Sequence, residues 1–329
     1  MTTHPRDALF DSDDIAPALP VCDHYCGVEV RMRKSLALQA EMGPVFDVTL
    51  DCEDGAPIGG EAEHAHMAAE LVMSAENRFG RVGARVHPVD HPSFADDVAT
   101  LVGRAGTRLA HLMLPKPRNF DDVQRAIAEI DHHSRILSLA KPIPVHTLVE
   151  THGALREVDT IAAHARIESI SFGLMDFVSA YRGAIPSTGM SVEGQFTHPL
   201  VVRAKLEIAA ACHGRAKVPS HCVVTEFNDA DAISAAATRA SREFGYTRMW
   251  SIHPNQIEPI IEAFAPSAAE VEHAIEIITA AQDAHWAPIS HRKTLHDRAS
   301  YRYFWQVLER AHRTGQPLPA QVRERFFAV

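Results

Sequence analysis

Two carboxylates follow two strand-like runs that are neighbours along the chain. The apolar runs Pro144–Val149 and Ile167–Phe172 each lead into a loop, and these loops carry Glu150 and Asp176. Because the carboxyl ends of neighbouring parallel strands face the same side, we expect the two carboxylates to converge. Hard oxygen ligands of this kind suit Mg²⁺ or Mn²⁺. The alternative interpretation is that Glu150 caps a helix and Asp176 closes a turn.

Further ionisable side chains follow other strand-like runs. Three acids that lie close together are costly to hold without a cation or a basic partner. A planar guanidinium at another strand end suits a carboxylate. The strand-end groups of this set are Asp51, Glu53, Asp54, Arg85, Lys116 and His253. If the runs belong to one parallel barrel, these groups gather at the same mouth as the two carboxylates described above.

The combined set predicts a site for a small carboxylate that bears an adjacent keto or hydroxyl oxygen. Glu150 and Asp176 would hold the divalent cation, and Arg85 would bind the substrate carboxylate. Metal coordination to a carbonyl stabilises the enolate that forms when a neighbouring carbon–carbon bond breaks or forms. The chemistry indicated is that of an aldol- or Claisen-type lyase.

Several of these residues have a second interpretation. Arg85 could serve only to pair with the Asp51–Asp54 acids. Lys116 could be a Schiff-base nucleophile of a metal-independent aldolase. His87 and His253 fit turn or cap residues hydrogen-bonded to the backbone better than catalysts. A non-catalytic subunit that binds a 2-oxo acid is the alternative from outside the enzymes.

The elements that must position these groups alternate between strand and helix. About eight strand candidates alternate with helices, and no Gly-x-Gly-x-x-Gly fingerprint is present, so the pattern predicts an α/β fold with a closed (β/α)8 TIM barrel over residues 19–265. Residues 266–329 show helices only, which predicts a C-terminal helical extension that covers one barrel end or packs on a neighbouring subunit. The polar, acidic residues 1–18 predict a flexible N-terminal arm.

Composition excludes several classes of protein. The formal net charge of −10 argues against a nucleic-acid surface. No run of about 18 apolar residues is present and the start lacks a secretory signal, so we expect a cytoplasmic protein without a membrane segment. The five cysteines predict reduced, buried thiols. Cys22 and Cys26 beside His24 resemble half of a zinc site, but no second tight pair accompanies them.

The motifs at the strand ends also occur in a fixed order. They are Asp51-x-Glu53-Asp54, Arg85-Val-His, Leu114-Pro-Lys116, Val149-Glu150-Thr, Phe172-Gly-x-x-Asp176 and Ile252-His253-Pro-x-Gln256. In this order they resemble the citrate lyase β-subunit-like proteins of the HpcH/HpaI aldolase superfamily, whose relatives include malyl-CoA and citramalyl-CoA lyases. The resemblance runs from about residue 20 to residue 310.

The resemblance implies a TIM barrel with Mg²⁺ held by Glu150 and Asp176, and with Arg85 on the substrate carboxylate. It places the acids that match Glu53 and Asp54 around the metal's water shell. The predicted substrate-binding residues are therefore Arg85, Lys116, Glu53 and Asp54.

The resemblance also implies an assembly of several subunits. In the lyases, a C-terminal segment reaches over a neighbouring subunit and contributes an aspartate to its active site. Asp297, in Thr294-Leu-His-Asp297-Arg, is the best match here, so Asp297 and Arg85 are the predicted catalytic residues. The assembly that the resemblance implies is a homotrimer, or a hexamer made from trimers.

Three departures from the family concern the second half of the substrate. This chain has Val21-Cys-Asp-His-Tyr-Cys-Gly in place of Arg-Ser-x-Leu-x-x-Pro, and Ser220-His221-Cys222-Val223 in place of an Asp-Gly pair. It has Arg248-Met-Trp-Ser where the family has Gly-Lys. These changes leave open whether the substrate carries CoA, and His24, Tyr25 and His221 could build a different pocket. The predicted reaction is Mg²⁺-dependent carbon–carbon cleavage or condensation of a β-hydroxy acid or its CoA thioester, which yields or uses a 2-oxo acid.

Overall fold

Eight parallel strands form a closed barrel in the computed structural model, which describes residues 3–11 and 15–327. Each strand is hydrogen-bonded to the next along the chain, and the eighth pairs with the first. The strands are β1 (Cys22–Cys26), β2 (Phe46–Asp51), β3 (Val82–Arg85), β4 (Leu112–Leu114), β5 (Val145–Val149), β6 (Ile167–Phe172), β7 (Val218–His221) and β8 (Arg248–Ser251). The predicted (β/α)8 barrel is confirmed.

Helices fill most of the connections between the strands. In chain order they are α1 (Pro5–Leu9), α2 (Glu29–Met42), α3 (Glu61–Met73), α4 (Phe94–Ala105), α5 (Phe120–Ile136), α6 (His152–Arg156), α7 (Val158–Ala163), α8 (Leu174–Ser179), α9 (Gly194–Thr197), α10 (Pro199–Gly214), α11 (Ala230–Arg242), α12 (Ile257–Phe264), α13 (Ala268–Asp283), α14 (Arg298–Arg313) and α15 (Ala320–Phe326). No helix in the described ranges is both long enough and apolar enough to cross a bilayer.

Side-chain caps set the start of several of these helices. Asn119 accepts a hydrogen bond from the N–H of Asp122 at the start of α5, and Asp229 accepts one from Ala232 at the start of α11. Between β5 and β6 the sequence predicts one helix, but the structure has two. Glu157 separates α6 from α7 because its backbone leaves the helical region, with φ −107° and ψ 14°.

The interior of the barrel contains a polar layer near the amino ends of the strands. Arg248 is fully buried, with Nη1 2.7 Å from Asp47 Oδ2 and Nη2 2.9 Å from Asp23 Oδ2. Thr49 Oγ1 donates to Asp23 Oδ1 at 2.7 Å and lies 2.9 Å from His111 Nε2. Bulky aliphatic side chains usually fill this space in TIM barrels, so the charged layer departs from the usual pattern.

The chain divides into two compact units, Ala16–Ala263 and a second formed by the described residues of Met1–Ile15 and Phe264–Val329. In the second unit, α1, α13, α14 and α15 share an apolar core that includes Leu9, Tyr301 and Trp305. A short antiparallel hairpin, β9 (Ile289–His291) and β10 (Thr294–His296), precedes α14.

The predicted flexible arm over residues 1–18 is wrong for Pro5–Leu9. These residues form a helix that starts at a His4 cap, and Leu9 is fully buried in the core of the second unit. Arg6 pairs with Glu309, and Arg302 donates to the carbonyl of Leu9 at 2.8 Å. Burial of the Leu9 side chain offsets the conformational entropy that this terminal segment loses when it becomes ordered. Residues 1, 2 and 12–14 of the predicted arm lie outside the described residues.

Replacement of Arg248 with Met is expected to lower the free energy of unfolding by about 3–5 kcal/mol, because Asp23 and Asp47 would then be buried without their cation. Urea denaturation followed by circular dichroism measures the change. Arg203→Met is the control, since Arg203 pairs with Glu207 on the protein surface at 2.7 Å, and its loss should cost below about 1 kcal/mol. Equal losses in the two variants would contradict the assigned role of Arg248.

Candidate active site

The predicted site residues lie at the carboxyl ends of five consecutive strands. Asp51 ends β2, Arg85 ends β3, and Glu150 follows β5 directly. Lys116 lies just beyond β4, and Asp176 lies in the first turn of α8, after β6. The closed barrel therefore gathers these side chains at one mouth, as parallel strands require.

Arg85 is held by the acids that follow β2. Its Nε donates to Asp51 Oδ1 at 2.7 Å and its Nη2 to Asp51 Oδ2 at 2.5 Å, while Nη1 lies 3.1 Å from Glu53 Oε2. Asp51 also accepts from the backbone N–H groups of Glu53 and Gly55, which fixes its carboxylate. The bidentate pair uses two of the five guanidinium N–H bonds, so donors remain for another carboxylate.

Lys116 links the acids after β2 to Glu150. Its Nζ donates to Glu53 Oε1 at 2.5 Å and to Asp54 Oδ2 at 2.6 Å, and its backbone N–H donates to Glu150 Oε1 at 2.6 Å. The residue has φ 50°, in the left-handed region that residues other than glycine rarely adopt. Burial alone would lower the pKa of Lys116, but the hydrogen bonds to Asp54 and Glu53 outweigh this effect and raise the pKa. This ammonium is therefore kept protonated.

Glu150 carries a strongly perturbed carboxyl at the mouth. Its side chain is buried, and burial together with the negative charge of Asp176 raises its pKa to about 8. Asp176 itself is exposed. Gly173 makes room for Glu150, because a Cβ at that position would lie 2.3 Å from Glu150 Oε2. Two mutually repelling carboxylates, one of them recessed, fit the oxygen ligands of a divalent cation such as Mg²⁺.

His24 and Tyr25, which the sequence suggests for a second pocket, are both buried in β1. His24 Nδ1 lies 2.7 Å from Ser251 Oγ, and burial lowers the pKa of His24 to about 4. The Tyr25 ring packs on Trp250, 4.8 Å between centroids, and Arg85 Cζ lies 5.5 Å from its centroid. Tyr25 therefore forms apolar support beneath Arg85.

His221 and His253 have structural contacts. His221 is fully buried, and its ring stacks on Phe196 at 5.3 Å. His253 Nδ1 accepts from the N–H of Asn255 and, together with Gln256, caps the 3₁₀ turn that precedes α12. The interpretation of His253 as a cap is confirmed.

His87 contacts a residue that the sequence did not single out. Its Nδ1 lies 2.6 Å from Asp97 Oδ2 in α4, and the same oxygen accepts from the backbone N–H of His87. The hydrogen bond that His87 donates to the Asp97 carboxylate raises the pKa of His87. His87 is thus bonded to a side chain rather than to the backbone of a turn, and only the helical periodicity that buries Asp97 could have indicated the pair.

Asp297, the predicted catalytic aspartate, belongs to the second unit. Its carboxylate caps α14, where Oδ1 accepts from the N–H of Ala299 at 3.0 Å. Its role in a neighbouring subunit stays a prediction. Cys22 and Cys26 are buried free thiols, and burial raises the pKa of each to about 12.

Residues 34–254 match the family model described as HpcH/HpaI aldolase/citrate lyase. The chain belongs to this family. A citrate lyase from Burkholderia xenovorans LB400 has a crystal structure with a TM-score of 0.85 and 54% identity, which covers 98% of this chain and 100% of that one. The predicted resemblance and the predicted enzyme class, a lyase, are confirmed.

Two more distant proteins resemble the chain over most of its length. An L-malyl-CoA/beta-methylmalyl-CoA lyase from Cereibacter sphaeroides is 28% identical over 247 residues, which is 72% of this chain and 77% of that protein. Protein CitE from Mycobacterium tuberculosis, crystallised with magnesium, acetoacetate and coenzyme A, is 20% identical with a TM-score of 0.67. It covers 90% of this chain and 99% of that one, and it shows the shared fold.

Lys116 is expected to form no Schiff base, because its amine is held protonated by two carboxylates. Incubation with pyruvate and sodium borohydride, followed by peptide mass spectrometry, checks this. An authentic lysine-dependent aldolase treated in parallel shows that trapping works. A reduced pyruvyl adduct on Lys116 would contradict the assignment.

The stability of the protein should fall as the pH drops from 6.5 towards 4, partly through His24. The unfolded histidine takes up a proton near pH 6.5, whereas the folded one does so only near pH 4, so acid favours the unfolded state in between. Urea denaturation at several pH values should give a shallower decline for His24→Gln, by up to about 1.4 kcal/mol per pH unit. Identical slopes for the variant and the wild type would contradict this.

Proposed function

We propose that this chain is a Mg²⁺-dependent carbon–carbon lyase that cleaves a β-hydroxy acid or its CoA thioester and releases a 2-oxo acid, or runs the reverse condensation. The observation that carries the proposal is the recessed Glu150 beside Asp176, at the same mouth as Arg85. The malyl-CoA lyase and citrate lyase relatives support it, since both break a carbon–carbon bond of a hydroxy acid.

Glu150 and Asp176 are the residues that would hold the ion. The hydrogen bond from the Lys116 backbone N–H occupies Glu150 Oε1 and orients the carboxylate, and Gly173 leaves space for Oε2. Bound Mg²⁺ would supply a Lewis acid for an oxygen of the substrate. All three acids after β2 are already paired with Arg85 or Lys116, so the pair Glu150 and Asp176 is the better place for an added cation.

Arg85 would bind the carboxylate of the 2-oxo acid. Asp51 holds the guanidinium on one edge, so the substrate would meet a donor whose position is already set. Glu53, Asp54 and Lys116, predicted to bind substrate, are bonded to one another. We therefore propose that they hold the loops around Arg85 and contact the substrate only secondarily.

The other half of the substrate and the assembly remain proposals. A CoA thioester is supported by the malyl-CoA lyase relative and by the CoA complex of the Mycobacterium tuberculosis protein. The buried His24 and Tyr25 leave β1 without the family's CoA-binding pattern, so the free acid is the competing substrate. We propose a cytoplasmic homotrimer, or a hexamer of trimers, in which Asp297 of one subunit contributes a catalytic carboxylate to the active site of the next.

Metal removal is expected to abolish turnover. Purified protein treated with EDTA and desalted should cleave none of a panel that includes malate, citrate and malyl-CoA, as measured by 2-oxo acid release, and Mg²⁺ should restore activity. Glu150→Gln and Asp176→Asn should each lower kcat/KM at least about a hundredfold, because a neutral amide binds Mg²⁺ poorly. Calorimetric titration with Mg²⁺ should show the matching loss of binding.

Asp121→Asn is the matched control, since Asp121 is an exposed acid that pairs with Arg125 at 3.4 Å on α5. This variant should keep wild-type activity and Mg²⁺ binding. Full turnover by the metal-free wild type would overturn the proposal. Binding of pyruvate or oxaloacetate with Mg²⁺, without turnover of any panel member, would identify a non-catalytic subunit instead.

A further inference from the structure

A second group of metal-ligand side chains lies in the barrel interior, apart from Glu150 and Asp176. Asp23 on β1, His111 just before β4, and His146 on β5 each offer one ligand atom, and these atoms lie within 4.8 Å of one another. Each of the three residues is at most 1% exposed. Because β1 does not pair with β4 or β5, the three side chains meet across the interior of the barrel.

His146 lacks a hydrogen-bond partner within the part of the chain that the structure describes. Neither Nδ1 nor Nε2 is bonded there, although the residue is fully buried. A buried polar atom left unsatisfied costs about 1–3 kcal/mol, and buried imidazoles normally have partners. The ring instead stacks on His111, with centroids 4.0 Å apart. Two unused nitrogens in a closed interior point to a bound ligand.

The other two side chains are oriented by neighbours. Thr49 Oγ1 bonds His111 Nε2 at 2.9 Å and donates to Asp23 Oδ1 at 2.7 Å. Gly83 on β3 leaves the space that the His111 ring fills, because a Cβ there would lie 2.5 Å from the ring. A glycine inside a strand marks such a close approach.

Charged side chains of both signs surround the group. Asp23 and Asp47 share the fully buried Arg248, and Arg81 Nη1 lies 3.8 Å from Asp47 Oδ1. Glu168 Oε2 lies 3.7 Å from His146 Nε2, so a further carboxylate stands beside the ring that the ion would bind.

We propose that Asp23, His111 and His146 bind one divalent ion of the zinc class through a carboxylate oxygen and two imidazole nitrogens. This donor set suits Zn²⁺, Co²⁺ or Ni²⁺ better than Mg²⁺, which prefers oxygen ligands alone. Ligand atoms of a tetrahedral zinc site lie about 3.4 Å apart, so binding draws the group inward. His146 moves most, since no hydrogen bond in the described structure holds its ring and its nitrogens must turn out of the stack.

The ion would join β1 to β4 and β5 from inside the barrel. Because the three ligands are buried, the ion enters as the chain folds and then exchanges slowly. The site is separate from the proposed Mg²⁺ site and does not depend on the proposed lyase activity. It would stabilise the barrel by selective binding to the folded state.

The test is the metal content of the full chain, produced in medium supplemented with Zn²⁺ and dialysed without chelator. Elemental analysis by mass spectrometry should find about one Zn²⁺ per chain in the wild type and in Glu150→Gln. His146→Gln should lose the ion while circular dichroism shows a folded barrel, and His146→Leu gives a second variant without a ligand atom. His221→Gln, the same change at another buried histidine, should keep it. X-ray absorption at the zinc edge should show scattering from two imidazoles.

Three results would overturn the proposal. The first is wild-type protein with no Zn²⁺ above background, which would indicate that water or a proton serves His146 instead. The second is equal Zn²⁺ content in the wild type and the His146 variants, which would indicate an adventitious ion elsewhere. The third is loss of Zn²⁺ in Glu150→Gln, which would place the ion at the mouth of the barrel.

Discussion

Repulsion among the carboxylates at the carboxyl end of the barrel is the constraint on which the candidate site depends. The cationic side chains Arg85 and Lys116 form ion pairs with the acids that follow β2. Arg85 is bonded to Asp51, and Lys116 is bonded to Glu53 and Asp54. Among the described residues Glu150 accepts a hydrogen bond from a peptide N–H, and its pKa rises to about 8 through burial and the charge of Asp176. The site therefore places two carboxylates that disfavour each other's charge next to a guanidinium, an arrangement that suits a cation and a 2-oxo acid together.

The layers beneath the site follow from the two-residue period of the strands. Asp23, His111, His146 and Arg248 belong to the polar layer, and the residues two positions further on are Tyr25, Met113, Leu148 and Trp250. Side chains two positions apart in a strand point to the same face of the sheet. In each of these four pairs, therefore, a polar side chain is followed along the strand by an apolar side chain on the same face. The apolar cluster separates the buried charges around Arg248 from those around Arg85, which limits the influence of each set on the other.

Much of the fold and of the mouth could be predicted because a parallel barrel converts position along each strand into position in space. Glu150 and Asp176 each follow an apolar run, and that alone places them together at one end. The polar interior was not predicted because a strand buried on both faces shows no difference between inward and outward residues. Asp47 and Thr49 therefore read as ordinary breaks in the apolar run of β2. The burial of Leu9 depends on tertiary contacts that no local pattern encodes. The periodicity of α4 indicates that Asp97 is buried, but it does not name His87 as the partner.

Crystals of the full chain grown with Mn²⁺ and pyruvate test the central claim most directly, because anomalous scattering locates the manganese ion. The account predicts an anomalous peak bonded to the carboxylates of Glu150 and Asp176, with the pyruvate carboxylate accepting hydrogen bonds from Arg85. A manganese peak that contacts neither carboxylate, or a pyruvate carboxylate bound away from Arg85, would contradict it.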